Sequence, residues 1–390
     1  MRVWSAVMGA TLWGIGAISA AGQTAVSIVY LRQEVERPPV LSNLDAIPED
    51  EGIAGAEVGL DDNQTTGKFL GQTYELSIIN VAPEGDFVAA AEQALSQSQF
   101  IVIDAPAAQV LQVADLPQAT SAILLNIAAP EVSLRDADCR RNVLHTLPSD
   151  DMRADALMQF LQSRRWDELV MITGPHPADL SFAQALRTSA RKFGLKLKAE
   201  KEWLFDANMR RAASAEVPLF TQEFPRHDVM LIADEVGDFA RYIPYNTWEP
   251  DVIAGSEGAR PVAWSPVMEQ WGGVQLQNRF EEHAQRNMRP IDYAAFIAVR
   301  ALGEAVTRTS SSDPETLRSY LLSDSFELAG FKGQPLSFRS WNGQLRQPIP
   351  VVHANAVIAT PPLEGFLHPR SDLDTLGLDE PETHCNAFTE

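Results

Sequence analysis

LRDADCRRNVLHTLPSDDMRADALMQFLQSRRWDELVMITG, residues 134–174, contains a linker, an amphipathic helix and a buried strand in succession. Pro148 and Ser149 provide a helix start, because a serine at this position can accept a hydrogen bond from an early helical N–H group. Apolar residues then recur at helical spacing, and the run 169–173 is largely apolar, as in a strand buried on both faces. We interpret 134–150 as the crossing between two α/β lobes that hold a ligand cleft between them.

Strands and helices alternate on both sides of this segment. Strand patterns occur at 24–31, 74–81, 100–104, 121–127, 195–205 and 229–233, and the strongest amphipathic helix lies at 292–307. Such alternation favours parallel sheets that are covered by helices on both faces. The Asn342-Gly343 pair predicts a β-hairpin within 327–356. A short helix is expected at 53–60, with a turn at Gly67–Gly71.

The N-terminus has the pattern of a secretory signal peptide over residues 1–22. Arg2 supplies a positive charge, an uncharged apolar run follows, and Ser19-Ala20-Ala21 provides the small residues of a cleavage site. The apolar run is near the length that spans a bilayer, so an uncleaved anchor is the alternative. We expect an exported protein.

The bulk properties restrict the possible classes of function. A chain of 390 residues is long enough for two domains, and a net charge of -21 argues against nonspecific binding to nucleic acid. The two cysteines, Cys139 and Cys385, are expected to form a disulfide after export, because an even pair in an oxidising compartment favours a disulfide over two free thiols. Their spacing fits no metal-binding pattern. The sequence has no nucleophile elbow, P-loop, zinc-protease or dinucleotide-binding motif, so we expect neither an enzyme nor a catalytic cofactor.

Ligands of open α/β sheets bind beyond the carboxyl ends of the strands. We therefore predict ligand contacts at the ends of the strands and in the crossing, from these residues: Arg32, Asp104, Ala105, Asp234, Glu235, Arg141, His145 and Thr146. The alternative for each arginine is a surface ion pair, and for His145 a hydrogen-bonding role in the hinge. No metal ligand is predicted.

Two groups of motifs resemble those of a known family. They are Gly55-Ala56-Glu57 with Asp62-Asn63, Gly67 and Gly71, and Phe331-Lys332-Gly333 with Leu336-Ser337-Phe338 and Asn342-Gly343. Both resemble periplasmic binding proteins of the branched-chain-amino-acid ABC transporter type. The resemblance implies a type I periplasmic-binding fold, with two doubly wound Rossmann-like lobes joined by three hinge crossings. It also implies a periplasmic location and an ABC permease as partner.

The domain limits follow from this resemblance. Lobe 1 is predicted at 23–144 plus 266–333, and lobe 2 at 145–265 plus 334–358. A C-terminal tail, 359–390, is expected to be tied back near the hinge. The sequence Leu31-Arg32-Gln33-Glu34 departs from the family, because it replaces a Pro/Gly turn. Amino-acid ligands are therefore not expected.

Three further stretches resemble a narrower group of binding proteins, found alongside quinoprotein alcohol oxidation systems. These stretches are 243–248, 263–280 and 338–348, and the cysteine pair also fits the group. The resemblance implies that the ligand is pyrroloquinoline quinone or a compound of quinoprotein alcohol oxidation. The alternative is a periplasmic sensor, or a protein that delivers cofactor to a quinoprotein dehydrogenase without transport.

An aromatic tricarboxylate such as this quinone requires guanidinium groups for its carboxylates and aromatic faces for stacking. Trp248, Trp264 and Trp271 could supply the faces, and Arg279 adds to the positive charge of the arginines already named. Plain packing is the alternative for each tryptophan. A cleft lined by acids would count against any anionic ligand.

Overall fold

The computed structural model describes residues 24–36, 46–204 and 209–388, and the predicted signal peptide at 1–22 lies outside them. Helices and strands are numbered in chain order. Within these ranges, no helix has both the length and the apolar character that crossing a membrane requires.

Lobe 1 is built around a parallel sheet of five strands in the order β2-β1-β3-β4-β5. The strands are β1 (Thr24–Gln33), β2 (Gln72–Val81), β3 (Phe100–Asp104), β4 (Ile123–Asn126) and β5 (Val143–His145). The helices are α1 (Ile53–Leu70), α2 (Phe87–Gln97), α3 (Ala107–Ala114), α7 (Gly273–Ala284), α8 (Pro290–Thr309) and α9 (Pro314–Leu321). Ile28 and Val102 face one hydrophobic core, and Val29 and Ile103 face a second. Both faces of the sheet are therefore covered.

Helix α1 packs directly against the buried helix α8. A Cβ atom on Gly55 would lie 1.9 Å from the Asp292 carbonyl oxygen, and one on Gly59 would lie 2.9 Å from the Phe296 carbonyl oxygen. Neither approach leaves room for a side chain, so glycine is required for this close contact. The close packing of α1 on α8 closes one face of lobe 1.

Lobe 2 contains a second parallel sheet, with the strand order β7-β6-β8-β9. Its strands are β6 (Glu168–Thr173), β7 (Lys196–Glu202), β8 (Val229–Ala233) and β9 (Ile253–Gly255), and its helices are α4 (Asp150–Ser163), α5 (Pro177–Lys192) and α6 (Met209–Thr221). A small antiparallel sheet joins β10 (Arg260–Pro261), β14 (Val351–His353) and β15 (Ala356–Ala359). Strand β7 lies at the edge, as its charged alternation predicts.

The chain crosses between the lobes three times, at 146–149, 262–272 and 347–350. The first crossing is shorter than the predicted 134–150, because β5 still belongs to the sheet of lobe 1. Together with the two parallel sheets, the crossings confirm the predicted two-lobed fold class.

The predicted hairpin at Asn342-Gly343 is present. Strand β12 (Pro335–Phe338) pairs antiparallel with β13 (Leu345–Arg346), and β11 (Leu328–Ala329) pairs with β12. Leu336, Phe338 and Leu345 lie in the hydrophobic core of lobe 1. The predicted limits place this part of 334–358 in lobe 2, but its apolar side chains pack in the core of lobe 1, which extends to the third crossing. The other predicted domain limits stay a prediction.

The C-terminal tail folds back over both lobes. Cys385 near its end forms a disulfide with Cys139, with a Cα–Cα distance of 5.6 Å. Cys139 lies between β4 and β5, so the end of the tail is attached covalently to lobe 1. The predicted disulfide is therefore confirmed.

Candidate functional site

The loops that follow the strands of both sheets meet in the cleft between the lobes. A cavity of about 50 Å³ lies there, lined by Pro130, Glu131, Asp150, Ala178, Ser181 and Glu235. Pro130 and Glu131 follow β4 of lobe 1, while the other four residues lie in or beside the helices and loops of lobe 2. Both lobes thus contribute to one cavity beyond the carboxyl ends of their strands, where α/β sheets bind ligands.

A charged cluster forms the lobe 2 wall of this cavity, and we call Asp150, Arg153 and Glu235 the cleft cluster. The Arg153 guanidinium donates two hydrogen bonds to Glu235, at 2.6 and 3.1 Å, and one to Asp150 at 3.3 Å. Its Nε donates to the Pro261 carbonyl oxygen at 3.2 Å. The guanidinium also lies 4.4 Å from the centre of the Phe182 ring. These contacts hold the guanidinium in one orientation, because its planar fork matches the carboxylate.

Hydroxyl groups also donate hydrogen bonds to the two carboxylates. Ser181, in the first turns of α5, donates to Asp150 at 2.8 Å. Ser256, directly after β9, donates to Glu235 at 2.8 Å. Each carboxylate therefore faces the cavity with part of its acceptor capacity already used.

The pKa values of Asp150 and Glu235 are shifted in opposite directions. Burial raises the pKa of Asp150 to about 7, against the opposing charge of Arg153 and with a further contribution from Glu235. Burial also acts to raise the pKa of Glu235, but the charge and hydrogen bonds of Arg153 prevail and hold it below its ordinary value. At neutral pH, Glu235 is therefore ionised, whereas Asp150 lies near the midpoint of its titration.

Lobe 1 contributes a third carboxylate to the cavity. The Oε2 atom of Glu131 is buried and accepts no hydrogen bond from the described residues. Arg135 holds the loop around it by donating to the carbonyl oxygens of Ala129 at 2.7 Å and Glu131 at 3.1 Å. Burial lowers the pKa of Arg135 to about 10, which leaves it cationic at neutral pH. The Arg135 guanidinium therefore positions the loop, and its N–H groups donate to carbonyl oxygens and not to the Glu131 carboxylate.

The residues predicted after β1 and β3 pair with each other. Arg32 lies 3.5 Å from the Asp104 carboxylate, which also accepts a hydrogen bond from Tyr30 at 2.9 Å. Ala105 is buried beside them. Arg32 also donates to the Glu49 carbonyl oxygen. These residues form a polar group at the end of the sheet, apart from the lining of the cavity described above.

In lobe 2, the adjacent acids Asp234 and Glu235 have different surroundings. The Asp234 carboxylate accepts hydrogen bonds from the backbone N–H groups of residues 237–240, between 2.7 and 2.9 Å, and so shapes the loop after β8. Glu235 lines the cavity. One member of this predicted pair thus forms the loop, and the other faces the cleft.

The crossing residues connect structural elements. The Nδ1 atom of the buried His145 lies 3.0 Å from the Asn126 amide, and Thr146 donates to the Ala294 carbonyl oxygen at 2.9 Å. Arg141 pairs with Glu315 of α9 at the surface.

The predicted aromatic residues are spread over the molecule. Trp264 is buried and stacks on Tyr293 with ring centres 4.9 Å apart. Trp248 and Trp271 are exposed, and Arg279 pairs with Asp62. Of all the predicted binding residues, Glu235 alone lines the cavity in the described part of the chain. The binding roles of the others stay predictions.

Four polar residues that line or support the cavity were not predicted: Glu131, Asp150, Arg153 and Ser181. Each lies within a few residues of a strand end or a crossing, in the first turns of α4 and α5 or just beyond β4. A search of the first helical turn after each strand would have found Asp150 and Arg153, and Ser181 lies one residue beyond such a turn. No group of three or more His, Cys, Asp or Glu side chains in the described ranges is arranged to hold a metal ion.

No protein-family model and no curated protein matches this chain. Solved structures do match it. A branched chain amino acid ABC transporter periplasmic ligand-binding protein from Burkholderia xenovorans is 12% identical, with a TM-score of 0.70, over 94% of this chain and 100% of that chain. An ABC transporter substrate-binding protein from Sphaerobacter thermophilus is 14% identical, with a TM-score of 0.70, over 91% and 100%. A solute binding protein from R. palustris, solved in complex with benzoate, is 10% identical, with a TM-score of 0.63, over 94% and 100%.

These similarities, together with the two parallel sheets and three crossings, define the fold. The chain has the fold of type I periplasmic binding proteins, and its structural neighbours include those of branched-chain amino acid ABC transporters.

Proposed function

We propose that this chain is the periplasmic substrate-binding component of an ABC transporter and that it binds a small solute between its lobes. The supporting observation is the cavity in the cleft, to which loops at the strand ends of both lobes contribute. The solved structures that share the fold are named as periplasmic, ligand-binding or substrate-binding proteins. The proposed role needs no catalytic group. The solute binds the closed state more tightly than the open state, so its binding favours closure of the lobes.

The charges in the cleft favour a neutral or cationic solute. Glu131, Asp150 and Glu235 line the cavity, and the nearby guanidinium of Arg153 is already paired with two of these acids. A carboxylate ligand would have to displace an existing partner of Arg153 while lying close to the acids. An amine or a hydroxyl group could instead donate to Glu131, whose buried oxygen is free of hydrogen bonds from the described residues.

Pyrroloquinoline quinone fits this chemistry less well than a neutral alcohol of the same oxidation system. The arginines predicted for its carboxylates are engaged elsewhere, with Arg32 on Asp104 and Arg279 on Asp62. Trp264 is stacked on Tyr293 within the core. We therefore rank pyrroloquinoline quinone below alcohols and amines as a candidate ligand, and a binding assay should compare all three.

A binding screen tests the proposed function. The exported part of the chain, residues 23–390, is purified without bound solute and is screened by thermal shift with amines, neutral alcohols, amino acids, aromatic acids and pyrroloquinoline quinone. Hits are titrated calorimetrically. We expect a neutral or cationic solute to bind with a one-to-one stoichiometry. The enthalpy of binding should differ between pH 6 and pH 8, because Asp150 in the cavity has a pKa of about 7. Binding of the quinone alone would refute the proposed ligand class, and binding of nothing would refute the proposed function.

An uptake assay separates transport from the alternative role in sensing or in cofactor delivery to a quinoprotein dehydrogenase. In the source organism, deletion of the gene should abolish accumulation of the labelled solute if an ABC permease is the partner. Unchanged uptake with a loss of alcohol oxidation would favour delivery.

A further inference from the structure

The C-terminal tail runs from lobe 2 to lobe 1. After β15, the Leu363 N–H donates to the Gln159 side chain of α4 at 3.0 Å, and Phe366 packs edge-on against Phe193 with ring centres 5.7 Å apart. The tail ends at Cys385, which is bonded to lobe 1. The chain therefore joins the lobes a fourth time, beside the three crossings at the hinge.

Lobe 1 holds the middle of the tail through a buried arginine. Arg339, in the turn after β12, donates to the Asp374 carboxylate at 2.9 Å and to the carbonyl oxygens of Leu376 and Leu378 at 2.6 and 3.1 Å. Arg346 of β13 donates to the same carboxylate oxygen at 2.7 Å. Arg339 is 1% exposed, so its charge relies on these partners.

Lobe 2 holds the same few residues from the other side. The Gly377 N–H donates to Asp155 of α4 at 2.8 Å. Lys192 of α5 donates to Asp155 at 2.7 Å and to the Gly377 carbonyl oxygen at 3.0 Å. Leu376 packs with Met152, Ala156 and Ile349 in a small apolar cluster. Residues 374–378 are thus bonded to both lobes at once, and we call this segment the brace.

We propose that the brace, closed by the Cys139–Cys385 disulfide, is a fourth interlobe connection that limits how far the cleft can open. Rotation of one lobe moves Arg339 relative to Asp155, so the brace must release its bonds to one of them. The disulfide prevents the end of the tail from leaving with lobe 2. This inference goes beyond solute binding, since it concerns the lobe motion of the empty protein.

Because the cleft cavity is small, the limit on lobe opening also limits the entry of a solute. At about 50 Å³, the cavity holds little more than a water molecule or two in the observed arrangement of the lobes. A solute of several heavy atoms can enter only if the lobes separate, and the brace sets the separation that is available. Reduction of the disulfide should widen that range.

X-ray scattering of the solute-free protein tests the proposal, with hydrogen exchange as a second readout. We compare oxidised wild type, wild type reduced with a phosphine, the C139S/C385S variant, and a C139S chain that ends at residue 370. R370A serves as the matched control, because Arg370 is an exposed tail residue that pairs with Glu380 at the surface. The scattering reports the separation of the lobes, and the exchange reports the brace directly.

We expect the lobes to separate further in the truncated chain, and the brace to loosen when only the disulfide is removed. The truncated chain should have a larger radius of gyration than wild type, and reduction or C139S/C385S should accelerate amide exchange in 374–378 about tenfold or more. R370A should behave as wild type. Unchanged scattering from a truncated chain whose parallel strands stay protected would overturn the proposal. If truncation unfolds the protein, exchange in the reduced and C139S/C385S proteins decides, and unchanged exchange in the brace overturns it.

Discussion

Removal of Arg153 should destabilise the protein strongly, and more at high pH than at low pH. The Arg153→Met change keeps most of the side-chain volume but leaves Glu235 and Asp150 without the guanidinium that now lies 2.6 and 3.3 Å from them. Breaking a buried ion pair by removing one partner costs about 3–5 kcal/mol, because the remaining charge stays buried. We expect a loss of stability in this range at pH 8.

The pH dependence follows from the direction of the pKa shifts. Without the cation, burial raises the pKa of both carboxyl groups in the folded state above their unfolded values. A group with a raised folded pKa contributes stability below its unfolded pKa, and that contribution is lost as the pH rises through the folded pKa. At pH 5 the two acids take up protons, so the cost of Arg153→Met should be smaller there than at pH 8.

Urea unfolding at pH 5 and pH 8, followed by circular dichroism, measures this effect. Arg191→Met is the matched control, because Arg191 is an exposed arginine of α5 and its loss should change stability by about 0.5 kcal/mol or less. The double change Arg153→Met with Glu235→Leu should recover much of the loss, since it removes the arginine together with the carboxylate that it contacts most closely. A cost of Arg153→Met below about 1 kcal/mol at pH 8, or an equal cost at both pH values, would refute the reasoning.

Three further outcomes are expected. Asp150→Asn should reduce the fall in melting temperature as the pH rises from about 4 to 7, because the folded pKa of Asp150 is raised to about 7; an unchanged slope would contradict this assignment. Replacement of Cys139 and Cys385 by serine should lower the unfolding free energy by about 2–5 kcal/mol in urea titrations, and no loss would contradict a stabilising role of the disulfide. Gly55→Ala should cost about 3 kcal/mol, because the added Cβ would lie 1.9 Å from the Asp292 carbonyl oxygen; a neutral effect would mean that α1 shifts freely on α8.

The fold could be predicted because its signals are local. Apolar runs such as 100–104 and 229–233 have the composition of strands buried on both faces, and β7 has the alternation of an edge strand. The hairpin prediction rested on two residues, Asn342 and Gly343. Each of these signals depends on the chemistry of neighbouring residues, which the sequence displays directly.

Helix α1 shows where local signals are misleading. The sequence predicted a short helix at 53–60 and a turn from Gly67, but the helix continues to Leu70 and Gly71 forms its left-handed cap, with φ +71°. Gly67 serves a different purpose, since a Cβ there would lie 2.6 Å from the Gln72 carbonyl oxygen. A glycine needed for close packing and a glycine needed for a turn look the same in sequence.

The site was harder to predict because it depends on pairs that are distant in sequence. Arg153 and Glu235 are 82 residues apart, and a charged residue near the start of a helix normally indicates a solvated face. The arginines proposed for an anionic ligand proved to have carboxylate partners of their own, such as Glu315 for Arg141. Folding decides which arginine remains available to bind an anionic ligand, and the amino-acid composition does not show this.

The most direct test of solute binding in the cleft is titration of a screened solute into two charge-removing variants of lobe 2. Glu235 lines the cavity, whereas Glu249 is an exposed acid of the same lobe. If the solute binds in the cleft, Glu235→Gln should weaken its binding at least tenfold, about 1.4 kcal/mol, and Glu249→Gln should leave it unchanged. Equal affinity of both variants and the wild type would contradict a binding site at this cavity.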